Sequence, residues 1–301
     1  MNNHRRPLWL YPLFQITFTI LGACLVAALL FGLLGFGRPP VAVAIALDLS
    51  SSTYGAGIFN AAGTIMAQEV QAVEAYLEKN SPDILRQPNQ VQVFGFGGVV
   101  KPLTNGFNSD SQQVKAELTQ ALRNPNLPEQ IVASTTNLDL AIEEGTHALR
   151  NIQGRCRELL LVTDGEAPVN PGIIADAALS RVKINSVVIG GEAPALATAA
   201  LATGGVYLSE DVDNLELLFT NRFLSRFNSN IRWIIFWLGC AWIAWMWMLI
   251  MPIDRWILQG IMQKHWTISG KLALGNALFW TFATPGIIWP LAGGIPFRSQ
   301  C

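Results

Sequence analysis

The chain has 301 residues, which is enough for one sizeable domain and a further segment. Hydrophobic residues make up 51% of it and charged residues only 14%, a composition too apolar for an ordinary soluble enzyme. Charge is also unevenly divided, because residues 40–228 hold 20 of the 21 acidic groups but only 12 of the 20 basic ones. An acidic central segment argues against nucleic-acid binding.

Three long uncharged runs account for the apolar excess. They separate Arg6 from Arg38, Arg232 from Asp254, and Lys271 from Arg298. Because about 20 apolar residues suffice to cross a bilayer as a helix, we predict transmembrane helices at residues 8–36 and 233–253 and a weaker span at residues 272–297. The chain then comprises an N-terminal tail with its helix (1–39), a central domain (40–228) and a C-terminal membrane region (229–301).

The first apolar run has the features of a retained membrane anchor. It is about twice as long as the apolar core of a cleaved signal peptide, which has roughly 7–15 residues. Residues 21–24 (LGAC) resemble a lipoprotein cleavage site, which leaves lipidation of Cys24 as an alternative. The chain stays apolar well beyond Cys24, however, and a processed lipoprotein would not need this.

Strands and helices alternate along the central domain. The first strand, at residues 41–48, is a continuous apolar run that ends in Asp48, as expected of a strand buried on both faces. Further strands are predicted at residues 91–96, 99–103, 159–162, 182–189 and 206–208. Helical periodicity marks residues 58–77, 110–123, 136–152, 194–203 and 215–227. This alternation predicts an α/β fold with a doubly wound, mostly parallel, Rossmann-like sheet of six strands.

Polar side chains follow two of the buried strands where each strand ends. Asp48, Ser50 and Ser52 follow the first strand, and Asp164 follows the strand at residues 159–162. Thr136, at the start of the preceding helix, could lean in from a third segment. Since the carboxyl ends of neighbouring parallel strands meet at one edge of the sheet, these five residues are candidates for one site.

The chemistry of these five residues favours a hard cation. Two carboxylates and three hydroxyls offer oxygen alone, which suits Mg²⁺, Mn²⁺ or Ca²⁺ better than zinc or copper. Two carboxylates neutralise a divalent ion, and hydroxyls are weak donors, so the ion would stay electrophilic. Because Mg²⁺ takes six ligands, five protein groups leave one position open, and the carboxylate of a partner is its natural occupant.

The motifs in this order resemble the von Willebrand factor type A (vWA) family. Residues 48–52 (DLSSS) resemble its DxSxS motif, residues 161–165 (LVTDG) its TDG segment, and residues 201–218 its closing strand and helix. Thr136 and the apolar residues after it are similar to the family's threonine segment. The resemblance covers residues 40–228 and implies the vWA fold with a metal-ion-dependent adhesion site.

In such a site, the resemblance implies that Ser50, Ser52 and Thr136 contact the ion through their hydroxyls. Asp48 and Asp164 would act directly or through water, and a protein partner would offer an acidic residue. Two positions depart from the family pattern. Ser134 and Thr135 stand where the family usually has a glycine before the threonine, so Thr135 is an alternative ligand; Thr53 stands where a methionine often follows the last serine.

The arrangement of anchor, vWA domain and C-terminal span resembles bacterial membrane proteins of the aerotolerance (Bat) type. Those proteins more often carry the extra span before the domain. Positive charge marks the cytoplasmic side of a membrane protein, and most of the flanking basic residues fall on one side: Arg5, Arg6, Arg255, Lys264 and Lys271. We therefore expect a multi-pass protein of the cell (inner) membrane with its domain on the exported, periplasmic or extracytoplasmic, side, although Arg38 and Arg232 oppose this orientation.

These features favour a binding module over an enzyme. His147 is the domain's single histidine, it lies within a predicted helix, and no nucleophile–base pair or zinc set accompanies it. We expect a membrane-anchored module that binds a protein partner through a divalent ion and relays occupancy through the helix at residues 215–227 into the second span. The alternative is a structural scaffold that assembles with other membrane subunits and holds the metal incidentally, as the tryptophan-rich spans suggest.

Overall fold

The computed structural model describes residues 7–34, 36–37, 39–55, 59–80, 87–165, 167–210 and 230–292. The chain divides into two units. We call Met1–Arg38 with Asn230–Gln300 the membrane unit and Pro39–Ser229 the central unit. The predicted helix at residues 215–227 lies outside the described residues.

The elements follow one another in the order that the sequence periodicity predicts. The strands are β1 Val41–Asp48, β2 Gln90–Phe96, β3 Val100–Pro102, β4 Cys156–Thr163, β5 Val182–Ile189 and β6 Tyr207–Glu210. The helices are α1 Pro12–Leu34, α2 Ser51–Tyr54, α3 Ile65–Lys79, α4 Ser111–Leu122, α5 Leu127–Gln130, α6 Leu138–Arg150, α7 Pro171–Leu179, α8 Pro194–Thr203, α9 Ile231–Met248, α10 Ile250–Pro252 and α11 Trp266–Ala292. A short 3₁₀ turn, Leu8–Leu10, precedes α1, and a π-helical stretch, Ile253–Ile261, follows α10.

The described residues of the central unit form a six-stranded sheet in the order β3-β2-β1-β4-β5-β6. β3 runs antiparallel to β2, and every other neighbouring pair is parallel. The predicted doubly wound, mostly parallel sheet is therefore confirmed. The strand order reverses between β1 and β4, and ligands of such sheets bind at this switch point, beyond the carboxyl ends of the strands.

β1 is buried along its whole length because helices cover both faces of the sheet. Its larger side chains, Val41, Val43, Ile45 and Leu47, share one apolar cluster with residues of α3 and α4. Its alanines share a second cluster with residues of α6, α7 and α8. Each fully buried Val, Ile or Leu contributes about 1.5–3 kcal/mol, so the strand that carries Asp48 is held firmly in place.

The small side chains on the second face let α6 approach the sheet closely. Gly145 of α6 lies against β4, where an added Cβ would come within 2.5 Å of Leu159 Cδ1. The start of α6 lies near the carboxyl end of β2, because Asn137 N donates a hydrogen bond to the carbonyl of Gly97, which directly follows that strand. α6 begins at Leu138 rather than at the predicted residue 136, because the side chain of Asn137 caps it by accepting a hydrogen bond from Leu140 N.

In the membrane unit, α1 and α9 run antiparallel. At one end, the Asn230 amide donates hydrogen bonds to the carbonyls of Phe31 and of Phe36. At the other end, Arg255 Nη2 donates to Tyr11 Oη over 2.6 Å, and its guanidinium lies 4.6 Å from the centre of that ring. The chain therefore leaves this unit and returns to it at the end marked by Phe36 and Asn230.

Three helical segments among the described residues are long and apolar enough to cross a membrane: Pro12–Leu34, Ile231–Ile261 and Trp266–Pro290. The third is one continuous helix that passes through Pro285 and Pro290, and it begins six residues before the predicted span. Trp242, in the middle of the second segment, packs edge-on against Trp280 of α11 with ring centres 5.4 Å apart. The tryptophan in the middle of this span therefore contacts another helix.

A buried carboxyl group in β4 predicts a pH dependence of stability. Asn185 Nδ2 of β5 donates to Glu158 Oε2 over 3.0 Å, and burial raises the pKa of Glu158 from 4.5 to about 7 against the opposing effect of Lys183. Between these two values the folded state binds more protons than the unfolded state. The contribution of Glu158 to the free energy of unfolding should therefore be largest below about pH 4.5 and fall by about 3 kcal/mol as the pH rises through 7.

Glu158→Gln keeps an acceptor for Asn185 and removes this titration, so the variant should show a flatter profile than the wild type. The measurement is chemical unfolding of the full chain in detergent from pH 4.5 to 8. Glu143→Gln, at an exposed position of α6, is the control and should leave the profile unchanged. Equal slopes in the wild type and in Glu158→Gln would contradict the prediction.

Candidate metal centre

Asp48 lies at the carboxyl end of β1, fully buried, with both carboxylate oxygens engaged. Its Oδ1 accepts a hydrogen bond from Ser50 N at 2.9 Å, and its Oδ2 accepts one from Thr163 Oγ1 at 2.5 Å. Burial raises the pKa of Asp48, the hydrogen bonds from Ser50 and Thr163 oppose that rise, and the charge of Asp164 adds to it. Asp48 is thus held in one orientation beside a second carboxylate.

The two predicted serines link Asp48 to Asp164. Ser50 precedes α2 in an extended conformation, and its Oγ lies 2.9 Å from Ser52 Oγ. Ser52 Oγ in turn donates to Asp164 Oδ1 over 3.0 Å. Burial raises the pKa of Asp164, and the hydrogen bond from Ser52 lowers it. Asp48, Ser50, Ser52 and Asp164 therefore form one connected group, although Asp164 is 112 residues from Ser52 in the chain.

The segment that carries Thr136 is joined to this group through the backbone. Ser51 N, at the start of α2, donates to Ala133 O over 2.7 Å, and Asn137 N donates to Gly97 O over 2.8 Å. Thr136 itself is half-buried. In the described part of the chain, its hydroxyl makes no hydrogen bond to the other four side chains, so its role as a ligand stays a prediction.

Thr135, the alternative ligand, turns its side chain elsewhere. Its Oγ1 lies 3.4 Å from Val132 O and occupies the space beside Gly98, where an added Cβ would come within 2.4 Å of it. The hydroxyl of Thr135 thus packs against the turn between β2 and β3. The choice between Thr136 and Thr135 as the threonine of the site stays a prediction from the sequence.

Thr163 is a residue of this group that is absent from the predicted set. It is fully buried at the end of β4, donates to Asp48 Oδ2, and accepts a hydrogen bond from Gly165 N at 3.1 Å. It therefore orients Asp48 and the turn that carries Asp164. A signal for it exists in the sequence, because it is the one polar residue that closes the apolar run of the β4 strand.

The donors present fit a divalent cation. Two carboxylates lie close enough for the charge of Asp164 to raise the pKa of Asp48, and hydroxyl groups stand beside both. Among the described residues, no three His, Cys, Asp or Glu side chains are grouped closely enough to hold an ion together. A cation at this edge would therefore depend on the hydroxyls of Ser50, Ser52 and Thr136 as well as on the two carboxylates.

No known protein family matches the chain, and no curated protein matches it. Solved structures do resemble it. An aerotolerance-related membrane protein from Bacteroides fragilis shares 18% identity over 62% of this chain and 99% of that one, with a TM-score of 0.46. BatB from Bacteroides thetaiotaomicron shares 16% identity over 62% of this chain and 98% of that one, also with a TM-score of 0.46.

A further similar structure is proximal thread matrix protein 1 from the mussel byssus, with a zinc-occupied MIDAS motif. It shares 15% identity over 60% of this chain and 46% of that one, with a TM-score of 0.45. The solved structures that resemble this chain thus include aerotolerance-type membrane proteins, the type that its arrangement of anchor, domain and C-terminal span resembles. These identities do not exceed 18% and the TM-scores do not reach one half, so any function proposed for this chain rests on its own residues.

Proposed function

We propose that this chain is a membrane-anchored vWA-type module that binds a protein partner through a divalent cation. The ion would be held by Asp48, Ser50, Ser52, Thr136 and Asp164. The observation that carries the proposal is the connected group of Asp48, two serines and Asp164 at the point where the strand order reverses between β1 and β4. Binding sites of doubly wound sheets lie at this point.

The charges of the site support an acidic ligand. Asp48 and Asp164 together neutralise one divalent ion, and the hydroxyl ligands add no further charge. An ion such as Mg²⁺, Mn²⁺ or Ca²⁺, bound mainly by weak donors, would keep an electrophilic position for one more oxygen. A carboxylate from a partner supplies that oxygen together with a negative charge, so an acidic side chain is the ligand that fits best.

The antiparallel pairing of α1 and α9 supports a multi-pass protein whose domain is exported. Arg255 contacts Tyr11 at the start of α1, and Lys264 follows in the loop before α11. Positive charge at that end indicates the cytoplasmic side. The chain passes into the central unit at the opposite end, beside Phe36 and Asn230, so the domain would lie on the periplasmic or extracytoplasmic face of the cell (inner) membrane.

A matched pair of serine variants tests the proposal. Ser52→Ala removes a proposed ligand, whereas Ser51→Ala changes an exposed neighbour in the same short helix, α2. Loss of even an indirect metal contact costs about 10–100-fold in affinity, so Ser52→Ala should reduce Mg²⁺-dependent capture of partner by at least about tenfold. Ser51→Ala should capture like the wild type. The measurement is a pull-down from native membranes with the full chain, in Mg²⁺ and in EDTA; undiminished capture in EDTA would contradict the proposal.

The second candidate function is a scaffold subunit of a membrane complex with an incidental metal. It is favoured by the aromatic surface of the second span, where Trp242 and Trp245 are more than two-fifths exposed. In this case other membrane subunits would co-purify with the chain both in EDTA and with Asp48→Ala. If the chain instead binds its partner through the metal ion, co-purification would be lost both in EDTA and with Asp48→Ala.

The relay of occupancy to the membrane stays a prediction from the sequence. It depends on residues 215–227, which lie outside the described residues. The chain returns to the membrane unit directly afterwards, at Asn230. This short connection is what supports coupling between the site and the second span.

A further inference from the structure

A third carboxyl group, that of Glu69, is buried beside the candidate metal centre. Glu69 belongs to α3, which Thr64 caps by accepting a hydrogen bond from Ala67 N. The buried side chains of α3 recur at helical spacing: Met66, Glu69, Ala72, Val73, Tyr76 and Leu77. Glu69 is thus a charged residue on an otherwise mainly apolar stripe of α3. This helix packs against β1, which ends in Asp48, and against α2, which contains Ser52.

The carboxylate of Glu69 has no hydrogen-bond partner among the residues that the structure describes. Its side chain is fully buried, and neither Oε1 nor Oε2 is bonded to any group there. The two acidic residues further along the same helix differ, since Glu74 and Glu78 pair with Lys115 at 3.1 and 2.9 Å. A buried carboxylate without hydrogen bonds or a counter-charge is costly, so this position calls for a positive group that the described side chains do not provide.

The charges nearest to Glu69 are those of the proposed metal ligands. Burial raises the pKa of Glu69 well above its ordinary value, and the negative charges of Asp48 and Asp164 raise it further. α3 packs against β1, which ends in Asp48, and against α2, whose Ser52 hydrogen-bonds to Asp164, so the three carboxyl groups belong to elements that pack together. A cation held between Asp48 and Asp164 would be the counter-charge that Glu69 lacks.

We infer that Glu69 is part of the metal centre and interacts with the cation through an intervening water molecule. This inference rests on the proposed function of Asp48 and Asp164 as ligands. The contact is assigned to a water molecule because no three His, Cys, Asp or Glu side chains among the described residues are grouped closely enough to ligate one ion together. With Glu69, three negative charges surround the cation, which raises its affinity and favours ions of higher charge.

Glu69→Gln tests the inference because it removes the charge and keeps the shape. Cation binding to the full chain in detergent is measured by calorimetry with Ca²⁺ and with Tb³⁺, two ions of similar size. We expect affinity for Ca²⁺ to fall by about tenfold or more, as for other groups that contact a metal indirectly. Because Coulomb energy scales with the charge of the ion, the loss for Tb³⁺ should be larger, about 30-fold when the loss for Ca²⁺ is tenfold.

Glu143→Gln removes an exposed carboxylate from α6 and is the charge-matched control; it should bind both ions like the wild type. If Glu69→Gln does not fold because of its buried amide, Glu69→Met is measured in its place, since a thioether of similar length needs no hydrogen bond. Unchanged affinity of the Glu69 variant for both ions would overturn the inference. An equal loss of affinity for Ca²⁺ and Tb³⁺, together with a lower melting temperature of the variant in EDTA, would overturn it as well. Asp48→Ala is measured in parallel: if it abolishes binding and the Glu69 variant does not weaken it, only the role of Glu69 fails, whereas undiminished binding by Asp48→Ala would refute the metal site itself.

Discussion

Asp48→Ala is expected to abolish binding of divalent cations to the full chain. The substitution removes the one fully buried carboxylate of the proposed ligand set, and with it half of that set's negative charge. A pair of unit charges 4 Å apart contributes about 4 kcal/mol at an effective dielectric constant of 20, and each 1.4 kcal/mol is a factor of about ten in affinity. We therefore expect the affinity for Mg²⁺ or Mn²⁺ to fall by at least about 100-fold, measured by isothermal titration calorimetry in detergent.

Asp48→Asn separates the effect of charge from that of packing at this position, and Ser51→Ala serves as the control. Asp48→Asn retains the volume and one oxygen that can accept the hydrogen bond from Thr163 Oγ1 or from Ser50 N, but it lacks the charge, so it should bind cations almost as poorly as Asp48→Ala. Ser51→Ala, at an exposed position, should bind normally. Retention of wild-type affinity by Asp48→Asn would show that the charge of Asp48 does not hold the ion.

Gly205→Ala is expected to have the largest effect on folding. An added Cβ at Gly205 would lie 2.0 Å from Ile184 O and 2.7 Å from Ile184 C. Both atoms belong to the backbone of β5, which cannot move without disturbing the hydrogen bonds that join β5 to the chain entering β6. Overpacking of this kind costs about 3 kcal/mol, which corresponds to a decrease of about 10 °C in the melting temperature of a domain of this size.

Gly191→Ala is the matched control, because nothing lies within 4 Å of a Cβ added there. The melting temperature of each variant is measured on the full chain in detergent by differential scanning calorimetry. Gly191→Ala should melt within about 2 °C of the wild type, as surface substitutions usually do. Similar melting temperatures for both variants would mean that β6 can shift away from β5 at little cost.

The physical signals that succeeded in the sequence are local ones. A continuous apolar run predicted β1 with both of its ends, Val41 and Asp48, because a strand buried on both faces needs apolar side chains at every position. Helical spacing and capping residues predicted α8 with both ends and α4 to within one residue at each. The mostly parallel order then followed, since strands that alternate with helices pair in parallel.

The details of the site were less accessible because they depend on contacts between distant segments. Thr163 hydrogen-bonds to Asp48 across 115 residues of chain, and the hydroxyl of Thr135 packs beside Gly98, 37 residues earlier in the chain. Glu69 could have been noticed as a charge among the apolar positions of α3, but its neighbours could not have been named. Helical spacing shows which face of α3 is buried and does not show which strand that face meets.

By itself, the sequence determined the alternation of strands and helices, the three apolar segments, and the positions of Asp48 and Asp164 at strand ends. These features follow from periodicity and from the length of apolar runs, which each segment carries independently of the others. Only the tertiary structure decided that Ser50 and Ser52 bridge the two aspartates and that Glu69, without a hydrogen-bond partner among the described residues, is buried on the helix that packs against β1 and α2. Such contacts arise when α3 and β4 pack against β1, and that packing depends on side chains far apart in the chain.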